Sequence, residues 1–307
     1  MAASTSTSRT AVATRVARAV AGKRTRGRGA RWTTFALIRA IVLYVLMALF
    51  GVTFLFPFLW MLSTSLKLPE QVFAQPPVWI PNPIVLENYV EVVTEVPMGR
   101  YLRNTLIITL IPTMATVVSS SSVAYAFARL EWKGRTQFFA ILMATMMLPW
   151  QVTMIPVFVM FHKIGWVNTF YPLVLPPFFG SAFYIFLLRQ FFMSIPKEMD
   201  EAAIMDGASP PLIWWKIILP LSGPALAAVA IFSFIGHWND FLAPLIYLQR
   251  ASMWPLSLGL IGFRLQYLTE WELVMAYSTL VMLPCLAVFF FFQRYFIQGI
   301  TLSGLKG

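Results

Sequence analysis

From Ala40 to Leu62 the chain runs 23 residues without a charge. The apolar core of a bilayer is crossed by about 20 helical residues, whereas the apolar core of a signal peptide is roughly 7–15 residues long. No small-x-small cleavage site follows the run, so it reads as a membrane span. Five more spans follow by charge-free length. They are Asn104–Ala128 between Arg103 and Arg129, then about Thr136–Phe161, Trp166–Leu188, Ile217–Trp238 and Leu273–Phe292. Only 11% of the residues are charged, against about 25% in soluble domains. The expected fold is an all-α integral membrane protein of six transmembrane helices. Prolines such as Pro149, Pro156, Pro176 and Pro177 lie in the third and fourth spans. Proline is tolerated there because neighbouring groups satisfy the freed carbonyls, so kinks or partial unwinding are expected.

The charges that remain are unevenly placed. Nine of the 23 Lys and Arg lie in the first 39 residues, and the first acid is Glu70. Net charge is +11, but beyond the arm 14 bases meet 12 acids. The basicity therefore belongs to an N-terminal arm and does not mark a nucleic-acid-binding face. Residues 1–35 read as a disordered basic arm and 36–307 as the membrane domain. The arm has too few large apolar side chains to fold alone. It sets orientation or meets anionic lipid. With the N-terminus inside, 17 of the 23 Lys and Arg face the cytoplasm, as the positive-inside rule requires. Both termini, the loop 194–220 and the tail 294–307 are then cytoplasmic.

Few residues suggest chemistry. Cys285 is alone and has no ligand partners nearby in sequence. A nucleotide-binding loop, a nucleophile elbow and a zinc helix are all missing. Uphill transport would draw its energy from a partner. His237-Trp238-Asn239-Asp240 sits at the outer end of the fifth span. It reads as an interfacial helix end or as polar lining of a translocation path, with Asn239 and Asp240 the candidates. Ser119–Ser122 give the second span a small-residue face, for close helix packing or for a polar path. The proline-rich outer loop 63–103 is an ordered loop or a contact for an outside partner.

The most informative segment is the cytoplasmic loop. Ser194 is the expected N-cap of a helix with Pro196 in its first turn. Glu198, Asp200 and Glu201 then lie at the positive end of the helix dipole. Ala202 and Ala203 favour helix and keep its surface shallow. Gly207 permits a turn, and Pro210 and Pro211 open a second short helix that ends at Leu219-Pro220. The plain alternative is an amphipathic interfacial connector.

Glu201-Ala202-Ala203, three residues, Gly207, nine residues, Ile217, one residue and Leu219-Pro220 match the cytoplasmic-loop signature of binding-protein-dependent ABC importer permeases. Asp206-Gly207-Ala208-Ser209, Leu86-Glu87-Asn88-Tyr89, Arg103-Asn104-Thr105, Ala124-Tyr125-Ala126-Phe127-Ala128-Arg129 and Trp238-Asn239-Asp240-Phe241 resemble the sugar-uptake branch. The end, Gly304-Leu305-Lys306-Gly307, resembles that of maltose-type permeases. The resemblance covers residues 40–307, leaving the arm outside. It implies a permease subunit of a bacterial or archaeal cell membrane that binds no cofactor itself. ATP and Mg belong to a partner. The implied partners are a distinct sister permease, two ATPase subunits and an extracytoplasmic solute-binding protein, with lipid around the spans. Glu201, Ala202, Ala203, Asp206, Gly207, Ile217, Leu219 and Pro220 would couple to an ATPase. Gly304, Leu305, Lys306 and Gly307 would reach into the ATPase dimer. The expected solute is a sugar or oligosaccharide. An importer of glycerol-3-phosphate or related esters, or a stand-alone secondary transporter, are the alternatives.

Overall fold

The computed structural model describes residues 34–259 and 270–304, and the side chains of 39–259 and 270–293. By internal contacts the chain divides into residues 1–57 and 58–307. Helix α1, Thr34–Thr64, has a mean hydropathy of 2.4 from Arg39 onward. In the first unit its residues 41–57 are exposed on every face. A helix that is apolar all round suits lipid or another apolar partner rather than water.

In the second unit α3, Met98–Arg129, packs against several other elements and follows a short helix α2, Glu87–Glu95. α3 begins before the expected Asn104, so Arg100 and Arg103 lie within it. Thr105, Thr109, Thr116 and Ser120 are buried along one side of it. Small side chains at this spacing allow neighbouring helices to approach closely. The neighbours are α6, Ala182–Ser194, and α9, Gly223–Trp238. α9 in turn packs against α11, Trp271–Gly304.

Two expected spans are broken. The third is α4, Arg135–Thr145, and α5, Trp150–Lys163, bent by 94° at Met146–Pro149. The fifth does not begin at Ile217. Its spanning helix is α9 from Gly223, and the segment Pro210–Leu221 turns away from it by 84°. Charge-free length runs through such bends unaltered, so it merged the pieces. The fourth span is also discontinuous. A short helix Tyr171–Val174 and a 3-10 turn Pro176–Phe179 precede α6. α6 continues to Ser194, beyond the expected Leu188. Among the described residues four helices are long and apolar enough to cross a membrane, or up to six if each bent pair is one span.

The short polar motifs hold the outer segments to this frame. Asn88 Nδ2 donates to the carbonyls of Ser65 and Lys67, both at 3.0 Å. Lys67 is fully buried with Nζ 4.0 Å above the Trp60 ring, and burial pushes its amine below the ordinary lysine range. Asn104 Nδ2 donates to Ser252 O and Trp254 O at 3.1 and 3.0 Å. Thr105 Oγ1 accepts the Leu256 N–H at 2.8 Å. Asn168, in a left-handed conformation (φ 67°), accepts the N–H groups of Gln249 and Arg250 at Oδ1. Each staple satisfies main-chain groups of irregular segments that have no partner in regular helix.

Replacing Asn104 by Ala strands two carbonyls and should cost about 1–3 kcal/mol. Thermal unfolding of the detergent-purified assembly should show a lowered Tm, while Leu102→Ala, at a half-exposed lipid-facing position, should leave it nearly unchanged.

Candidate functional site

The helix of the 194–220 loop starts one turn later than expected. α7 spans Glu198–Met205 and its N-cap is Lys197, whose carbonyl accepts the Asp200 and Glu201 N–H groups. Ser194 instead ends α6, and its hydroxyl donates to Phe191 O at 2.6 Å. The reason is Pro196. A residue before proline is driven out of the α region, and Ile195 is extended with ψ 135°. That extended residue separates Ser194 from the helix it was expected to cap. Glu198, Asp200 and Glu201 do fall in the first turn of α7.

α7 closes with a left-handed Gly207 at φ 82°. The Ala208 N–H reaches Ala203 O and the Gly207 N–H reaches Ile204 O, both at 2.9 Å. This pair of bonds is the Schellman end of a helix. No atom lies within 4 Å of where a Gly207 Cβ would stand, so conformation rather than space asks for glycine.

Next come α8, Pro210–Ile213, and a five-residue π segment, Trp214–Ile218. π segments widen the helix and often occur at functional sites. Ile217 lies in this segment, and Leu219 and Pro220 follow it just before the 84° bend into α9. Ile213 and Ile218 are buried and join Ala203 in an apolar cluster with Phe127, Leu188 and Phe192. The signature residues therefore form one continuous element at the ends of α3, α6 and α9.

That element has two faces. Ala203 is buried and Asp200 is 14% exposed at its side chain, both turned toward α3. Glu201, Ala202, Ile204, Met205 and Asp206 are exposed. The Glu201 side chain makes no hydrogen bond or ion pair among the described residues. An outward stripe of one acid, small residues and large apolar side chains is a surface fit for another protein.

Sequence reading missed Arg129 and Asp200 as a pair. Arg129, last residue of α3, donates from Nη2 to Ile195 O at 2.7 Å, and its Nε lies 3.5 Å from Asp200 Oδ2. The helical spacing of 200 and 203 was the available signal: they share one face, and that face is the buried one.

Asn239 and Asp240 lie elsewhere, just after α9. A cavity of about 460 Å³ opens between the α4–α5 bend and this turn, lined by Trp150, Asn239, Asp240 and Phe241–Ala243. Asn239 also borders a second cavity of about 420 Å³ with Ile235, Ser278 and Met282. Asp240 Oδ1 accepts the Ala243 N–H at 3.2 Å, and its backbone carbonyl accepts the Ser257 hydroxyl at 2.8 Å. Burial pushes the Asp240 carboxyl above the usual carboxylate range, and the backbone bonds to Ala243, Leu242 and Phe241 oppose that shift. Asp240 is thus first a structural cap of α10, Leu242–Tyr247. Trp150 was not anticipated, because an aromatic in an apolar run carries no signal of its own. Of the tail residues, Gly304 ends α11, while Leu305, Lys306 and Gly307 lie outside the described residues.

Gly207→Ala should cost about 1–2 kcal/mol by forcing a side chain into the left-handed region. Limited proteolysis of membranes should cut the 205–209 turn faster in this variant than in Gly99→Ala, which sits in a helix with open space around it.

Comparison with known proteins places this arrangement. Residues 116–302 match the family described as the inner membrane component of binding-protein-dependent transport systems. The arabinooligosaccharide transport permease AraQ of Halalkalibacterium halodurans is 35% identical over 228 residues, covering 74% of this chain and 81% of that protein. The trehalose/maltose transport permease MalG of Thermococcus litoralis is 34% identical over 283 residues, 88% of this chain and 98% of its own. The diacetylchitobiose uptake permease DasC of Streptomyces coelicolor is 30% identical over 273 residues, covering 88% and 96%. Among solved structures, a chain of a bacterial ABC transporter that imports the acidic polysaccharide alginate superposes with a TM-score of 0.76. It is 27% identical and covers 86% of this chain and 98% of its own. This chain therefore belongs to the inner membrane components of binding-protein-dependent transport systems, as a permease subunit of an ABC importer.

Proposed function

We propose that this chain is one of two distinct permease subunits of an importer for a sugar or oligosaccharide, and that α7 through Pro220 is its joint with an ATPase subunit. The carrying observation is the two-faced α7, with Glu201, Ile204 and Met205 exposed among the described residues while Asp200 and Ala203 turn inward. The oligosaccharides and sugars named for the relatives support the solute class.

In this reading the Lys and Arg bias puts both ends of the chain and α7 in the cytoplasm. Two ATPase subunits bind there and use ATP with Mg, and an extracytoplasmic solute-binding protein docks on the other side. Closure of the ATPase dimer moves α7, and the helices packed on it switch the path between inward and outward access. Gly304 to Gly307 contact the ATPase dimer in this reading.

The path itself is read from polarity. Asn239 is exposed at the end of an apolar helix. Polar groups at such depth face a water-filled cavity or a partner rather than lipid. Discontinuous helices commonly build transport paths near the membrane middle, and here the α4–α5 bend meets the end of α9. α4 rises about 16 Å and α9 about 24 Å at 1.5 Å per residue, each short of the roughly 30 Å apolar core of a bilayer. Asn239 and Asp240 line the path in this account, with Asp240 holding its shape.

Glu201→Lys places like charge where an acid meets the ATPase. Membranes carrying it should retain much less ATPase subunit on purification and lose uptake, and normal retention with normal uptake would remove the coupling assignment. Deleting Gly304–Gly307 should lower the ATPase stimulation given by the loaded solute-binding protein and leave membrane insertion intact. Unchanged stimulation would leave the tail without that role.

A further inference from the structure

We infer that Arg129 is a positioning residue that joins α7 rigidly to α3, so that a displacement of α7 reaches the membrane through α3. The inference rests on the reading of α7 as the coupling helix. Its own content is the route by which force leaves that helix.

Two kinds of contact hold α7. The first is apolar: Ala203 with Ile213 and Ile218 against Phe127, Leu188 and Phe192. Such contact is non-directional, and it lets one helix slide or rotate on another at little cost. The second is directed and comes from one guanidinium. Arg129 Nη2 reaches Ile195 O at 2.7 Å, and Nε faces Asp200 Oδ2 at 3.5 Å. The Ile195 bond is a directed hydrogen bond, while Nε makes no hydrogen bond and meets Asp200 only as an ion pair. Ile195 lies between α6 and α7, and Asp200 is in the first turn of α7. One side chain thus fixes the residue that leads into α7 and holds its first turn by charge.

The base of this strut is also stiff. A helix leaves its last carbonyls without intrahelical donors. At the end of α3 other side chains supply them. Arg189 Nε donates to Phe127 O at 3.3 Å, and Trp132 Nε1 donates to Ala126 O at 3.4 Å. Arg135 Nη1 donates to Leu130 O just beyond the helix, at 3.0 Å. Arg189 is itself clamped, its guanidinium 4.1 Å from the Phe139 ring centroid. Arg129 has its side chain only 3% exposed, so water does not compete for its bonds. From this end α3 runs 32 residues without a break, past α6 and α9. The helices α4, α5 and α9, by contrast, meet bends of 94° and 84°. A bend absorbs displacement and an unbroken helix passes it on. Among these inner connections the route through Arg129 is the one that is both directed and unbent.

The test uses the complete importer in nanodiscs with Cys285 replaced by Ser. Nitroxide labels are placed at 205 and 114, which are 87% and 69% exposed, on α7 and α3. In the parent, the distance between labels should be unchanged by Mg-AMP-PNP, because the two helices move as one. In Arg129→Gln the distance should shift and broaden with nucleotide. Asp200→Asn, a change too small to threaten folding, should do the same to a lesser degree. Arg129→Lys, which keeps charge and loses the fork, should fall between parent and Gln. A distance that shifts in the parent as much as in Arg129→Gln, or that stays fixed in all of them, overturns the strut. Retention of the ATPase by Glu201→Lys, measured separately, is what would overturn the coupling reading instead.

Discussion

A backbone N–H or C=O inside a bilayer has no water to turn to, and the protein must satisfy it from within. Regular helix does this along most of the chain. The architecture is then decided at the places where helix stops. Several of those places carry a specific polar side chain. Asn88 serves the turn after α1, Asn104 and Thr105 serve the 252–256 segment, Asn168 serves 249–250, and Asp240 serves the start of α10. The polar residues of this apolar protein are concentrated where the main chain would otherwise be left unpaired.

The same constraint bears on the element that we propose as the coupling joint. Its short helices end in a glycine turn and a π segment, so their own backbone bonds are complete without deep burial. The membrane domain holds it by an apolar patch and by Arg129. The outer face of α7 is thereby left free for a second protein. A helix whose two faces serve two different partners is what transmission of movement requires.

Much of this was legible in the amino-acid sequence, and the rest was not for physical reasons. Charge-free length located the spans of α1, α3 and α11, because a charge within the membrane is costly. It could not see the bends at Met146–Pro149 or before Gly223, because a bend changes direction without changing hydropathy. The spacing from Glu201 to Pro220 picked out a continuous element, and the turn expected at Gly207 is there, with the glycine left-handed. The helix start at Ser194 was misplaced because the capping preference of serine was weighed above the restriction that Pro196 puts on Ile195. Arg129 read only as a boundary charge. Its bond to Ile195 O joins residues 66 apart, and no local pattern announces a contact at that separation. Trp150 at the cavity was invisible for the same reason.

The central claim, that the exposed face of α7 seats on an ATPase subunit, is tested most directly by a photo-crosslinking residue at position 205. Illumination of membranes containing the whole importer should yield an adduct of this chain with the ATPase subunit, and the adduct should change in yield with nucleotide. An adduct with the solute-binding protein in place of the ATPase, or none with any subunit, would contradict the account.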